Sequence, residues 1–306
     1  PPVEYGPIDG YWWEGGRLDK DRLRWQLEEL KDKGIAGTWF YARFLGGEPL
    51  GSDPGYFSDE WWEFTRFVAE EHRRLGMVNW TSNWTLLGFE QAALRAQREE
   101  NPSLWGRRLV AYEALAPPSA PEVSLEIDEG DEILDVAAYQ LNGETLLHHT
   151  RVDRADAVDG RTVRWTVPGV GWLLTVVAAR RWDLDYLGSQ VGEGWTEVVL
   201  GEYERRLPGL LGGDGVSAFG PDEMKLLSGT LAFSGPLLEA LRAEWDEDPS
   251  RYLIGLFREI GPRTEQVRGT YLGAMTRLLD ENFYQAPTRW LHDRGMQHVS
   301  LSQLND

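Results

Sequence analysis

The chain has no cysteine among its 306 residues. Disulfide bonds, thiolate nucleophiles and thiolate metal ligands are therefore excluded. Lysine is almost as scarce. Lys20, Lys31, Lys33 and Lys225 are the only four, and arginine supplies the rest of the 31 basic residues. Long hydrophobic runs are missing as well. The longest, Val170 to Ala179, carries a Trp and a Thr and falls short of the ~20 residues that cross a bilayer. Positive charge is outweighed by 50 acidic residues, for a net charge of −19. Such a surface repels phosphate backbones and anionic lipid, so neither nucleic acid nor membrane is expected as a partner. No signal peptide is visible and the first residue is Pro1, which is expected of a processed, trimmed or engineered product. A soluble protein is expected, with the compartment open between cytoplasm and secretion. His-Glu-x-x-His, phosphate-loop and Gly-x-Ser-x-Gly patterns are absent, so zinc, nucleotide and serine-hydrolase chemistry lack support.

What is present is a 42% hydrophobic chain, enough for a sizeable core, with 15 tryptophans. Its length suits about two domains, or one barrel with an insertion. Aromatic faces stack on the C–H faces of sugar rings, although core packing is the commoner use of any one Trp.

The first hundred residues alternate strand and helix. Ile8 to Trp13 reads as an aromatic strand. Asp19 to Lys33 reads as a helix with Leu23, Leu27 and Leu30 on one face, ended by Gly34. Ile35 to Tyr41 is nearly all apolar, as in a strand buried on both faces. Ser58 caps a second helix that Gly76 closes, and Met77 to Thr81 is a third strand. This rhythm predicts a parallel sheet with right-handed crossovers.

The pattern changes at the linker Leu115-Ala-Pro-Pro-Ser-Ala-Pro121. Four Val-, Leu- and Thr-rich strands follow, at 123–127, 132–141, 162–167 and 172–178. Asn142-Gly143, Asp159-Gly160 and Pro168-Gly169 supply the turns between them. Helix and strand then alternate again: a helix from Trp195 to Leu207, a strand from Gly215 to Gly220, and helices at 236–245, 250–260 and 264–283. A short helix starts at Pro287, and a last strand runs from Met296 to Leu301. The fold class expected is α/β: an incomplete (β/α) TIM-type barrel with an inserted small antiparallel β domain. Residues 1–117 form its first part, 118–180 the β-sandwich-like insertion and 181–306 the continuation. About five strand–helix units are legible, where a closed barrel needs about eight. An open sheet edge is expected, to be met by homodimerisation, by a missing C-terminal half or by a covering helix.

An ordered set of segments resembles glycoside hydrolase family 106, the α-L-rhamnosidases. It comprises Tyr11-Trp12-Trp13-Glu14-Gly15, Leu27-Glu28-Glu29-Leu30-Lys31-Asp32-Lys33-Gly34, Phe57-Ser58-Asp59-Glu60-Trp61-Trp62, Trp165 to Trp172, Phe219-Gly220-Pro221-Asp222-Glu223 and Val267-Arg268-Gly269-Thr270-Tyr271. The resemblance spans most of the chain and implies a hydrolase of O-glycosyl bonds in carbohydrate metabolism, with an oligosaccharide or glycoside as substrate. It also allows a bound calcium, although no EF-hand-like loop is present and no other cofactor or metal is expected. There are two departures. Trp80-Thr81-Ser82-Asn83-Trp84 has no carboxylate where the family's third strand ends in acids, and Gln297-His298-Val299-Ser300-Leu301 shifts or loses its Gly-His.

Glycoside hydrolysis needs a carboxylic acid to protonate the leaving oxygen and a carboxylate across the ring. Barrels place such groups at strand C-terminal ends. Glu223 follows an apolar strand beside Asp222, whose charge raises one pKa of the pair, so Glu223 is the expected general acid. The alternative is an acid that stabilises a helix N-terminus. Tyr41 and Arg43 end the second strand; Arg43 has two readings, a contact to sugar hydroxyls or an ion pair with a neighbouring acid. Trp13 and Trp84 are expected to stack on a ring, and Asn79 and Asn83 to bind hydroxyls, although both also head Asn-Trp-Thr sequons. His298 either faces the pocket or is a satisfied structural residue. The rival to the hydrolase is a non-catalytic carbohydrate-binding relative or an inactive fragment of such an enzyme.

Overall fold

The computed structural model describes residues 5–13, 16–42, 44–45, 48–49, 52–83, 94–116, 122–220, 229–245 and 247–299. The chain divides into two compact units, each discontinuous in sequence: residues 1–100, 190–228 and 283–306, and residues 101–189 and 229–282.

The first unit is built on five parallel strands: β1 (Ile8–Trp13), β2 (Gly37–Ala42), β3 (Val78–Asn83), and two later strands, Val216–Phe219 and Gln297–His298. They lie side by side in chain order, each pairing with the next. Strand β1 at one side and Gln297–His298 at the other have no further partner among the described residues. Helix α1 (Lys20–Asp32) starts where Asp19 accepts from the Arg22 amide at 2.8 Å, and it buries Leu23 and Leu27. Burial of each leucine stabilises by roughly 1.5–3 kcal/mol. Helix α2 (Asp59–Leu75) starts where Ser58 accepts from the Trp61 amide and ends at Gly76, which takes φ 60°. That left-handed turn is cheap only for glycine. Caps and apolar spacing thus put both helices where the sequence predicts them.

Between the sheet and the helices lies an aromatic layer. Trp61 is 1% exposed and contacts the rings of Phe40, Tyr56, Phe57 and Trp62. Phe57 itself takes φ 61°, a conformation that costs a non-glycine residue about 1 kcal/mol. Its ring, 4.8 Å from that of Trp62, holds it there. Thr38 and Phe40 face this layer, so their register partners do too, since residues paired across parallel strands share a face.

The second unit is mostly antiparallel. Its longest strands are β4 (Trp105–Leu115), β6 (Glu132–Asn142) and β8 (Trp172–Leu184), with β8 in the middle. Strands β5 (Glu122–Glu126) and β7 (Thr162–Thr166) form a smaller sheet. Val123, Val163 and Trp165 of that sheet share one core with Val136, Ala138, Leu174 and Val176 of the larger one. Two-residue turns at Gly143-Glu144 and Gly160-Arg161 match the glycine signals in the sequence. The stretch from Leu173 to Ala179 is buried on both faces, so a second layer must cover it. A 3₁₀ helix at Pro249–Leu256 supplies part of that layer, packing on β6 and β8. It stands where the sequence suggested an α-helix at 250–260. Residues 229–282, read from the sequence as part of the continuing β/α body, group by their contacts with this β-rich unit. Strand β4, eleven residues long, was not read from the sequence at all.

The first unit's remaining elements follow. Helices α3 (Ser189–Trp195) and α4 (Gly201–Arg206) are joined by a π-helical turn at Thr196–Leu200 and lead into β9 (Val216–Phe219). In the second unit, β10 (Ala232–Phe233) precedes α5 (Gly235–Glu244) and α6 (Thr264–Leu279). Helix α7 (Gln285–His292) takes in Pro287 rather than starting there, and β11 (Gln297–His298) is the last strand.

Candidate functional site

In a parallel sheet with helical crossovers, ligands meet the C-terminal ends of the strands. In this sheet the edge is set by register. Trp13 pairs with Ala42 and Ala42 with Asn83, while Thr81 pairs with Phe219 and Phe219 with His298. Side chains alternate between two faces along each strand.

Three of the expected sugar contacts lie on the helix-facing side. The Trp13 ring sits 4.1 Å from Phe40 and 6.3 Å from Trp61 and is 6% exposed. It belongs to the aromatic layer and offers no open face for a sugar. Asn79, the register partner of the helix-facing Thr38, is 3% exposed. The His298 ring nitrogen Nδ1 lies 2.6 Å from the Thr288 hydroxyl of α7, with the Tyr284 ring 6.4 Å away. Burial, reinforced by the nearby His292, lowers the His298 pKa, which favours the neutral ring. Its register with Phe219 turns it toward the helices, the structural alternative of the two sequence readings. Tyr41 and Asn83 keep their places at strand ends by backbone pairing, Tyr41 opposite Ser82 and Asn83 opposite Ala42. Arg43, Trp84, Asp222 and Glu223 lie outside the described residues. Among the described residues, no carboxylate occupies the last two positions of any of the five strands.

The opposite face of the same sheet carries a signal that the sequence reading did not assign to the site. Trp39 and Trp80 pair in register and are only half-buried, and Trp12 is 41% exposed. A Cβ on Gly10 would come within 2.4 Å of the Trp12 indole nitrogen, so the indole lies over that glycine. A cavity of about 620 Å³ lined by Val78, Trp80, Ser217 and Gln297 extends to Asp214, which pairs with Arg73 at 2.9 Å, but it lies at the N-terminal ends of the strands, away from the edge where ligands meet such a sheet. Alternation within Gly37–Ala42 and Val78–Asn83 is the clue that could have grouped these tryptophans. Partly exposed indoles on one sheet face offer broad apolar surface, which suits ring stacking.

Among the described residues, no group of three or more histidines, aspartates or glutamates is placed to hold a metal ion. Among the same residues no helix is long and apolar enough to cross a membrane.

No family model matches the sequence, and no curated protein matches it. A solved structure described as that of a rhamnosidase from Novosphingobium sp. PP1Y is similar in fold, with a TM-score of 0.63 and 14% sequence identity. The likeness covers 99% of this chain and 46% of that one, so this chain spans just under half the other's length. At that identity the likeness is one of fold.

Proposed function

We propose that the chain is part of a glycoside hydrolase acting on rhamnose-like or related glycosides by acid/base carboxylate catalysis, with Glu223 as general acid. The observation that carries this reading is the order of the five parallel strands. They follow one another without reversal, as in a TIM-type barrel and unlike a doubly wound sheet, whose order reverses at a switch point. Five strands in this order would form part of an eight-stranded barrel. The fold likeness to a rhamnosidase across 99% of the chain supports the same architecture. In that architecture ligands meet the C-terminal ends of the strands, and in the sequence Asp222 and Glu223 come just after Val216–Phe219. Glu223 would protonate the glycosidic oxygen while Asp222, ionised beside it, keeps its proton on at neutral pH.

A second reading is a non-catalytic carbohydrate-binding relative. It draws on the third strand, whose Thr81-Ser82-Asn83 end has no carboxylate to face the acid.

The test is hydrolysis of a panel of aryl α-glycosides with good and poor leaving groups, by the protein and by its Glu223→Gln variant. Gln keeps shape but cannot donate the proton, so the poor leaving group should lose about 100-fold or more and the good one far less. Equal losses on both would remove Glu223 from the acid role. No turnover of any aryl glycoside, with sugar binding intact, would favour the binding protein.

A further inference from the structure

The β-rich unit contains a cavity of about 490 Å³, within the ~300–1,000 Å³ of small-molecule sites. Its walls combine two aromatic rings, Trp105 and Phe233, with two arginines, Arg107 and Arg181, and two acids, Glu132 and Asp185. The cations are anchored. The Arg181 guanidinium lies 5.3 Å from the Trp105 ring, and that of Arg107 lies 5.7 Å from Phe233 and pairs with Glu132.

The backbone is shaped around this cavity. Pairing between β4 and β8 runs regularly down to Arg107 opposite Arg181, then slips before Trp105 meets Leu184. Such an irregularity re-aims the residues beyond it and is over-represented beside active sites. Here it delivers Asp185 to the cavity wall. The Asp185 carboxylate is held by the Leu187 amide at 3.2 Å, and burial pushes its pKa up despite that contact. Gly106 makes the close crossing possible, because a Cβ there would meet the Leu184 carbonyl oxygen at 2.5 Å.

We propose that this cavity is a saccharide-binding site that takes one uncharged sugar unit, separate from any site at the C-terminal ends of the parallel strands. Two cations face two acids, so an anion would meet Asp185 and Glu132, and a cation would meet Arg107 and Arg181. A neutral ligand rich in hydroxyls uses both sets, since each hydroxyl donates to a carboxylate and accepts from a guanidinium. The half-buried Trp105 then receives the apolar side of the ring, while Phe233, 4% exposed, backs the wall. The choice of a sugar over another neutral polyol rests on the proposed function.

The test is an NMR titration of the 306-residue protein with methyl α-L-rhamnopyranoside, methyl α-D-mannopyranoside and methyl β-D-glucopyranoside, with inorganic phosphate as the charged control. At least one sugar should shift the backbone amides of Gly130, Ala179 and Gly235 saturably, and phosphate should not. Asp185→Asn and Arg181→Met should each weaken that binding about tenfold, the loss of one charge-assisted hydrogen bond. Arg181 is exposed, so its variant is a safe check if Asp185→Asn perturbs folding. Glu223→Gln should leave the titration unchanged. Silent amides with all three sugars, sugar affinities unmoved by both variants, or tighter binding of phosphate would overturn the site. Hydrolysis with silent amides would remove this site and leave the proposed function standing. Sugar binding that depends on Asp185 without any hydrolysis would do the reverse.

Discussion

Thr38 on β2 and His72 on α2 are joined by a 2.8 Å contact between Oγ1 and Nε2, and both side chains are fully buried. The other ring nitrogen, Nδ1, lies 2.7 Å from the Val68 carbonyl and must donate to it. Nε2 is then the acceptor of the threonine hydroxyl, and the ring is neutral. Burial pushes its pKa down to about 4. The unfolded chain takes up this proton near the ordinary ~6.5, whereas the native protein resists until about 4. Between those values the unfolded state binds more protons, so stability should fall as pH drops from 6.5 to 4 and level off below. The loss attributable to His72 is about 3 kcal/mol at most. Urea unfolding at pH 7.5, 5.5 and 4 checks this. His72→Gln should cost stability at pH 7.5 and flatten the acid slope; an equally steep slope in the variant would assign it to other groups.

Gly106→Ala probes the crossing of β4 and β8. The added methyl would collide with backbone, the Leu184 carbonyl, rather than with a flexible side chain. The strands must separate there, at an expected cost of about 2–3 kcal/mol. A lowered thermal midpoint, with faster hydrogen exchange at the Trp105 and Asp185 amides, is the expected result. Wild-type exchange at those amides would show that the crossing tolerates a side chain.

Arg180 and Asp131 test the polar seam of the β-rich unit. The Asp131 side chain is 1% exposed, with Arg180 Nε 3.0 Å from Oδ1 and the Tyr112 hydroxyl 2.5 Å from Oδ2. Burial pushes the Asp131 carboxyl upward, but Arg180 and Tyr112 outweigh it and hold its pKa below the usual value. Arg180→Met leaves that carboxylate with the Tyr112 hydroxyl and the weaker pull of Arg108 and, because the Arg180 guanidinium is partly exposed, should cost about 1–2 kcal/mol. Adding Asp131→Asn should recover part of the loss, giving a coupling of at least ~1 kcal/mol in a double-mutant cycle measured by denaturant unfolding. Additive losses would mean that the two residues act independently.

Where local chemistry decides, the sequence was readable. Ser58 and Gly76 bracket α2 because a hydroxyl cap and a left-handed glycine act within a few residues. Alternation and turn glycines likewise gave β6 and its hairpin. Strand β4 escaped because Trp105–Leu115 mixes arginines with apolar residues in no clear period, and only pairing with β8 makes it a strand. The same pairing carries β8 past Ala178 into Arg180, Arg181 and Trp182, residues that by themselves suggest a loop. The facing of His298 depends on its register with Phe219, which no local signal encodes. Asp185 had no motif at all, since its position depends on a slip between two distant strands. Asp222, Glu223, Arg43 and Trp84 of the expected site fall on segments outside the described residues.

The discontinuity of the two units bears on the order in which a ribosome can release them. The β-rich unit is cut between residues 189 and 229, and the sheet of parallel strands takes its last strand from Gln297–His298. Strand β8 emerges well before the helices that cover it, so its apolar face stays uncovered while about a hundred further residues are translated, several seconds at ~5–20 residues per second. The β-rich unit can close once residue 282 is made, yet the parallel sheet, although it begins first, must wait for β11. Pairings at such long sequence separation are slow to form, so a nascent chain stalled before Gly229 should be the species most in need of a chaperone.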